Sequence, residues 1–189
     1  MMAGVGPFAI PLAIRLKSTK SLRKESFVHA NDLNPESFKY LNENIQLNSC
    51  SSHIRSYNLD GRDFIRHLND NLVQYTDVIM NLPQSSISFL DVFINQKCRP
   101  TIHIYAFSSE ADPVNDIRLR IANVLQCDPS LLPPALLWSK TQSKAVSEDC
   151  SIAHIVRDVA PKKVMVCLSF QLPKQVNLRI ETMREYLIY

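Results

Sequence analysis

No Cys-X-X-Cys pair occurs in this 189-residue chain, and its five cysteines (Cys50, Cys98, Cys127, Cys150 and Cys167) are scattered and odd in number. That spacing argues against a disulfide framework or a structural zinc, and for a reducing compartment. No metal site is expected. Outside the amino-terminal stretch, no apolar run approaches the ~18 uninterrupted residues that a membrane span needs. Residues 1–16 imitate a secretory leader, but the positive charges follow the apolar run instead of preceding it, and Pro7 and Pro11 interrupt it. A soluble protein with no membrane partner is expected. No internal repeat is visible. Charge of neither sign dominates: the net value of +3 permits a polyanionic partner without demanding one. Glycine is scarce, with only Gly4, Gly6 and Gly61.

What is present starts with those glycines. Ala3-Gly4-Val5-Gly6-Pro7-Phe8 is a turn of the kind that cradles a nucleotide-like cofactor. In such a turn Gly4 and Gly6 let the backbone bend tightly and approach a ligand, and the following helix presents free amide groups. An ordinary surface turn is the competing reading. The third glycine of the dinucleotide fingerprint is lacking, which disfavours a nicotinamide-dependent dehydrogenase. A parallel strand normally feeds this turn, and here only Met1 and Met2 stand before it.

With 46 % hydrophobic residues the chain can bury one α/β core. The pattern predicts a helix over 8–16 and a strand over 27–30 ending at Asn31-Asp32. Asn34-Pro35 then starts a helix whose apolar positions are Phe38, Leu41, Ile45 and Leu47. An alternation follows over 54–59, a helix over 62–72, a strand over 77–80, a helix over 85–93, a strand over 101–107 and a helix over 115–125. Strand and helix alternate as in a parallel sheet covered on both faces. Residues 127–149, rich in proline, serine and charge, read as a loop. The β-rich runs 153–157 and 164–170 are joined across Ala160-Pro161-Lys162-Lys163 and should pair as an antiparallel hairpin, which points to the methyltransferase variant of the doubly wound fold.

Three polar positions fall just past the carboxyl ends of successive predicted strands, the edge where open α/β sheets bind ligands: Asp32, Asp60 and Asn81. Asp32 follows Gly6 by 26 residues, near the ~20 expected of an acid that accepts from ribose hydroxyls. Asp60 is placed to accept from an adenine amine, with Gly61 leaving the base edge accessible. Either aspartate alone reads as a helix cap or turn; together they favour an adenosyl ligand. Asn81-Leu82-Pro83 offers a side-chain amide and a proline-fixed backbone to the edge of a base, so that positioning does the catalytic work.

The ordered set AGVGPFAIP (3–11), ANDLNPES (30–37), DGRDFI (60–65), NLPQSSISFLDVF (81–93) and HIVRDVAPKKVMVCLSFQLP (154–173) closely resembles the catalytic domain of the eukaryotic and archaeal tRNA (guanine-37 N1)-methyltransferases. The resemblance spans about residues 2–173, which it makes a methyltransferase catalytic domain, and leaves 174–189 as a helical tail. It implies a class I S-adenosylmethionine-dependent, Rossmann-like sheet ending in an antiparallel hairpin, with its first strand largely missing. It further implies S-adenosylmethionine as donor, a guanine beside the tRNA anticodon as acceptor, and a monomer. On this resemblance Gly4 and Gly6 form the cofactor turn, Asp32 and Leu33 hold ribose and adenine, Asp60 and Gly61 meet the adenine edge, and Asn81 and Pro83 face the methionine end or the target base.

Relatives carry a strand before the glycine turn and, further upstream, a glutamate proposed as general base and a basic substrate clamp. The resemblance thus predicts an amino-terminally shortened chain. Guanine N1 carries a proton at neutral pH, and lacking the base should cost about 10²–10⁴ in rate; Glu25, Glu36 and Asp63 match no catalytic position. Lys17, Lys20, Arg23, Lys24, Lys162 and Lys163 are candidates for phosphate contacts. The alternatives are a related wybutosine-pathway aminocarboxypropyl transferase and a noncatalytic fragment that binds tRNA or a partner. Proteins of this kind occur in cytoplasm, nucleus and mitochondrial matrix, and the same locations are expected here.

Overall fold

Asn34 and Pro35 start a helix as their chemistry predicts: Asn34 Oδ1 accepts the Glu36 N–H at 3.0 Å, and Pro35 occupies a first-turn position where no N–H is needed. The computed structural model describes residues 1–19, 26–96, 98–137, 146–147 and 150–176, which separate into two compact units, Met1–Asn71 and Leu72–Tyr189. Lys20, Arg23, Lys24 and the tail beyond Val176 lie outside the described residues.

The first unit runs α1 (Ala9–Ser18), β1 (Val28–Asn31), α2 (Pro35–Leu47), β2 (Ile54–Tyr57) and α3 (Gly61–Asp70). β1 and β2 pair in parallel, from Val28 opposite Ile54 to Asn31 opposite Tyr57. Even-numbered strand residues Val28, Ala30 and Ile54 are buried with Ile10, Ala13, Leu41 and Ile45, each large apolar side chain contributing about 1.5–3 kcal/mol. Odd-numbered residues point the other way. There the Tyr57 ring lies 5.8 Å from His29, 5.6 Å from His67 and 5.2 Å from Phe64, and its hydroxyl is 2.9 Å from His29 Nδ1. Leu47, expected on the apolar face of α2, is instead 81 % exposed. Two residues beyond Ile45, it is rotated about 200° around the helix from that buried position. Leu72 likewise lies outside α3, at a φ of +55°.

The second unit contains β3 (Asp77–Met80), a 3-10 helix over Ser86–Phe93, β4 (Thr101–Ser108), α4 (Pro113–Val124), β5 (Ala135–Leu137), β6 (Ser151–Ala160) and β7 (Lys163–Gln171). Its sheet has the order β3-β4-β7-β6-β5, with β3–β4 and β5–β6 parallel and β7 antiparallel to both its neighbours. The terminal hairpin is therefore present, turning through Pro161-Lys162 with Lys162 at φ +59°. Alternation along β4 buries Ile102, Ile104 and Ala106 completely. The opposite face carries a polar ladder in which His103 Nε2 meets Asp77 Oδ1 at 3.2 Å and His103 Nδ1 meets Ser169 Oγ at 2.8 Å. On the same face burial, with Cys167 beside it, pushes the Tyr105 hydroxyl up to about 12.

Two expectations change here. The helix over 85–93 is a 3-10 helix, and the segment read as a loop over 127–149 contributes β5, three residues long and too short to show a period. No strand precedes Gly4 among the described residues; Ala3 N–H donates at 2.8 Å to the carbonyl of Asn31, the last residue of β1.

Candidate functional site

In the first unit the glycine turn, the end of β1 and the β2–α3 corner are tied together by side chains. Asp32 Oδ2 accepts the Gly4 N–H at 2.7 Å and its Oδ1 accepts the Asn34 N–H at 3.0 Å. The second bond is the turn that competes with a ligand role. Both are compatible, since a carboxylate offers about four lone-pair sites and the turn uses two. Asp60 caps α3: its Oδ1 accepts the Arg62 N–H at 2.8 Å, while its other oxygen takes no hydrogen bond among the described residues. Gly61, directly after the cap, is buried. Leu33 is 66 % exposed, and its carbonyl and that of Asp32 accept from Asn58 Nδ2 at 2.9 and 2.8 Å.

The two glycines differ. Gly4 has φ +53° and nothing within 4 Å of where a Cβ would stand, so the turn faces open space suited to a ligand. Gly6 has φ +98°, and a Cβ there would stand 2.7 Å from Ile10 Cδ1 and 2.9 Å from Leu41 Cδ1; its requirement for glycine is both conformational and a matter of packing. Burial pushes the Met1 amine down to about 5, an effect the Asp32 carboxylate opposes.

Sequence reasoning missed Asn31 and Asn58. Asn31 is 1 % exposed and bonds Leu59 and the Met1 carbonyl. A buried amide closing an apolar strand was the available signal, masked by the aspartate beside it.

Asn81 and Pro83 belong to the second unit, on the loop leaving the carboxyl end of β3. The half-buried Asn81 side chain makes no hydrogen bond among the described residues, so its donors and acceptor are unspent. The loop itself is fixed by Ser86, completely buried, whose Oγ accepts the Leu82 N–H at 2.8 Å and donates to the Met80 carbonyl at 3.2 Å. Pro83 O accepts the Phe107 N–H at 3.2 Å, joining the loop to the end of β4. Ser86 too went unread, hidden within an apolar run. Of the basic candidates, Lys17 donates to the Ser49 carbonyl at 2.8 Å, and the Lys163 ammonium lies 4.8 Å from the Phe107 ring centroid. No group of three or more metal-binding side chains occurs among the described residues, and none of their helices is long and apolar enough to cross a membrane.

The family described as the TRM5/TYW2 methyltransferase domain matches residues 1–128. The chain belongs to that family. This TRM5/TYW2 domain is 40 % identical over 188 residues to a tRNA (guanine(37)-N(1))-methyltransferase of Phytophthora infestans, a match covering 96 % of this chain and 39 % of that relative. Across the curated relatives it resembles, the chain spans 34–40 % of their length. Among solved structures it is similar to the M. jannaschii tRNA m1G37 methyltransferase, with a TM-score of 0.60, 24 % identity, and coverage of 92 % of this chain and 42 % of that one. It is also similar to M. jannaschii TYW2 in complex with AdoMet, with a TM-score of 0.58, 22 % identity, and coverage of 92 % and 66 %. The α/β fold of this TRM5/TYW2 domain, closed by its antiparallel hairpin, is thus the class I methyltransferase fold.

Proposed function

We propose that this chain holds S-adenosylmethionine and supports methyl transfer to N1 of guanine 37 in tRNA. The observation that carries the reading is the Asp32 carboxylate seated on the Gly4 N–H, which fixes an acidic acceptor against an open glycine turn. Relatives named for this activity support it. The residues fit the cofactor: Asp32 retains lone pairs for ribose hydroxyls, Leu33 is exposed beside it, and Asp60 has a free oxygen for an adenine amine, with the small Gly61 next to it.

When bound, the sulfonium supplies an activated methyl group. The chain's part is to orient. The unspent amide of Asn81 would hold the edge of the base, and Pro83 would keep the loop backbone rigid, which is where positioning lowers the barrier. No acid of this chain is assigned the removal of the guanine N1 proton.

Isothermal titration calorimetry of S-adenosylmethionine against the chain tests the cofactor reading; binding lost in Asp32→Ala is expected, and binding unchanged in that variant overturns it. Mass measurement of guanine 37 in tRNA after incubation tests the reaction. The likeness to TYW2 favours a second reading, aminocarboxypropyl transfer from the same donor; the mass added to the tRNA separates the two. As a tRNA-modifying monomer the protein would act in cytoplasm, nucleus or mitochondrial matrix.

A further inference from the structure

We infer that an open cleft beside Pro83 is a second nucleotide subsite for the RNA, in which Lys163 meets a phosphate next to the methylated base; the inference rests on the proposed tRNA substrate. The cleft lies wholly in the second unit, where β3 and β4 end and β7 begins, on the same loop as Asn81. It has a volume of about 330 Å³, within the ~300–1,000 Å³ of ligand sites. Its walls are Pro83 and Phe107, held together by the backbone bond between them.

Charge within the cleft divides into committed and uncommitted groups. Arg120 is committed: its guanidinium donates to the Phe107 carbonyl at 2.8 Å and to Asp116 at 3.1 Å, so it braces the wall. Lys163 is not. Its ammonium rests over the Phe107 ring, is exposed, and has no carboxylate within ion-pair distance among the described residues. The exposed Glu110 likewise has no cation partner among them; only its backbone N–H is engaged, by Ser108 Oγ at 3.2 Å. One free cation and one free carboxylate flanked by an aromatic ring and a proline match the parts of a single nucleotide. The ammonium takes the phosphate, the carboxylate accepts from a ribose hydroxyl or base N–H, and the apolar walls receive the ring. A second phosphate would meet Glu110, so the cleft takes one nucleotide and does not track a strand.

The test is fluorescence anisotropy of the whole chain with a synthetic tRNA anticodon stem-loop across a salt series, with calorimetry of S-adenosylmethionine alongside. Lys163→Ala should weaken stem-loop binding about tenfold at low salt and lower the salt slope by about 1. Lys163→Arg should restore both, and Glu110→Gln should change affinity without changing the slope. Because Lys163 is exposed, cofactor affinity and thermal midpoint should stay as in the wild type. Equal RNA affinity and slope for wild type and Lys163→Ala overturn the subsite and leave the cofactor reading intact. A chain that binds S-adenosylmethionine but no stem-loop also overturns the subsite, and one that binds neither overturns it together with the proposed function.

Discussion

Asn31 and Leu59 exchange a reciprocal pair of hydrogen bonds: Asn31 Oδ1 accepts the Leu59 N–H at 2.9 Å, and Asn31 Nδ2 donates to the Leu59 carbonyl at 2.9 Å. A side-chain amide here imitates a strand residue, pairing both backbone groups of Leu59 two residues beyond the end of β2. The same Nδ2 reaches the Met1 carbonyl at 3.2 Å. One buried residue thereby registers three segments that carry candidate ligand groups. Asn31→Ala should leave these groups unpaired and cost about 2–4 kcal/mol, measured by urea unfolding. Asn31→Asp, which turns a donor into a second acceptor facing two carbonyls, should cost at least as much.

The glycine turn separates conformation from packing. Gly4→Ala meets only the left-handed backbone and should cost about 1–2 kcal/mol. Gly6→Ala adds a methyl in collision with Ile10 and Leu41, and should cost roughly 2–5 kcal/mol. Equal losses in chemical denaturation would show that the Gly6 contacts relax freely.

Ser86→Ala should strand the Leu82 N–H and cost about 1–3 kcal/mol. Because the loop it releases carries Asn81, the proposed function predicts that methyl transfer falls more than S-adenosylmethionine affinity does. Turnover measured against calorimetric affinity checks this, and a parallel loss in both would assign Ser86 to folding alone.

His29 sets an acid limb on stability. Burial, then Arg55 and His67 nearby, hold its imidazole below the ordinary value of 6.5. The unfolded chain therefore takes up the proton first. The contribution is complete above that value and is lost as pH falls from it toward the folded value. Unfolding free energy measured between pH 8 and 5 should decline less in His29→Gln than in the wild type; identical acid limbs would place the titration elsewhere.

Most of this architecture was legible because its signals are local. Asn34-Pro35 announces α2 through a cap and a proline, β4 announces itself by strict alternation, and the hairpin follows from two β-rich runs around Pro161-Lys162. Asp32 and Asp60 could be located from strand ends alone. What escaped depends on side-chain partners that no local pattern reveals: Asn31 with Leu59 and Asn58 with Asp32, distant in sequence, and Ser86 with Leu82 across a turn. β5 escaped because three residues carry no period and its strand character comes from β6 beside it. Leu47 misled because its hydrophobicity was counted without its angle around the helix.

The Asp60 cap has a consequence for how variation at this position is interpreted. One oxygen of that carboxylate begins α3 and the other is left over, so under the proposed cofactor role selection on helix stability and selection on ligand affinity would converge on the same atom group. Serine or asparagine would satisfy the first demand and lose the negative charge. A screen that scores only activity will register both kinds of defect as one, and a screen for thermal tolerance will pass Asp60→Asn and Asp60→Ser as neutral.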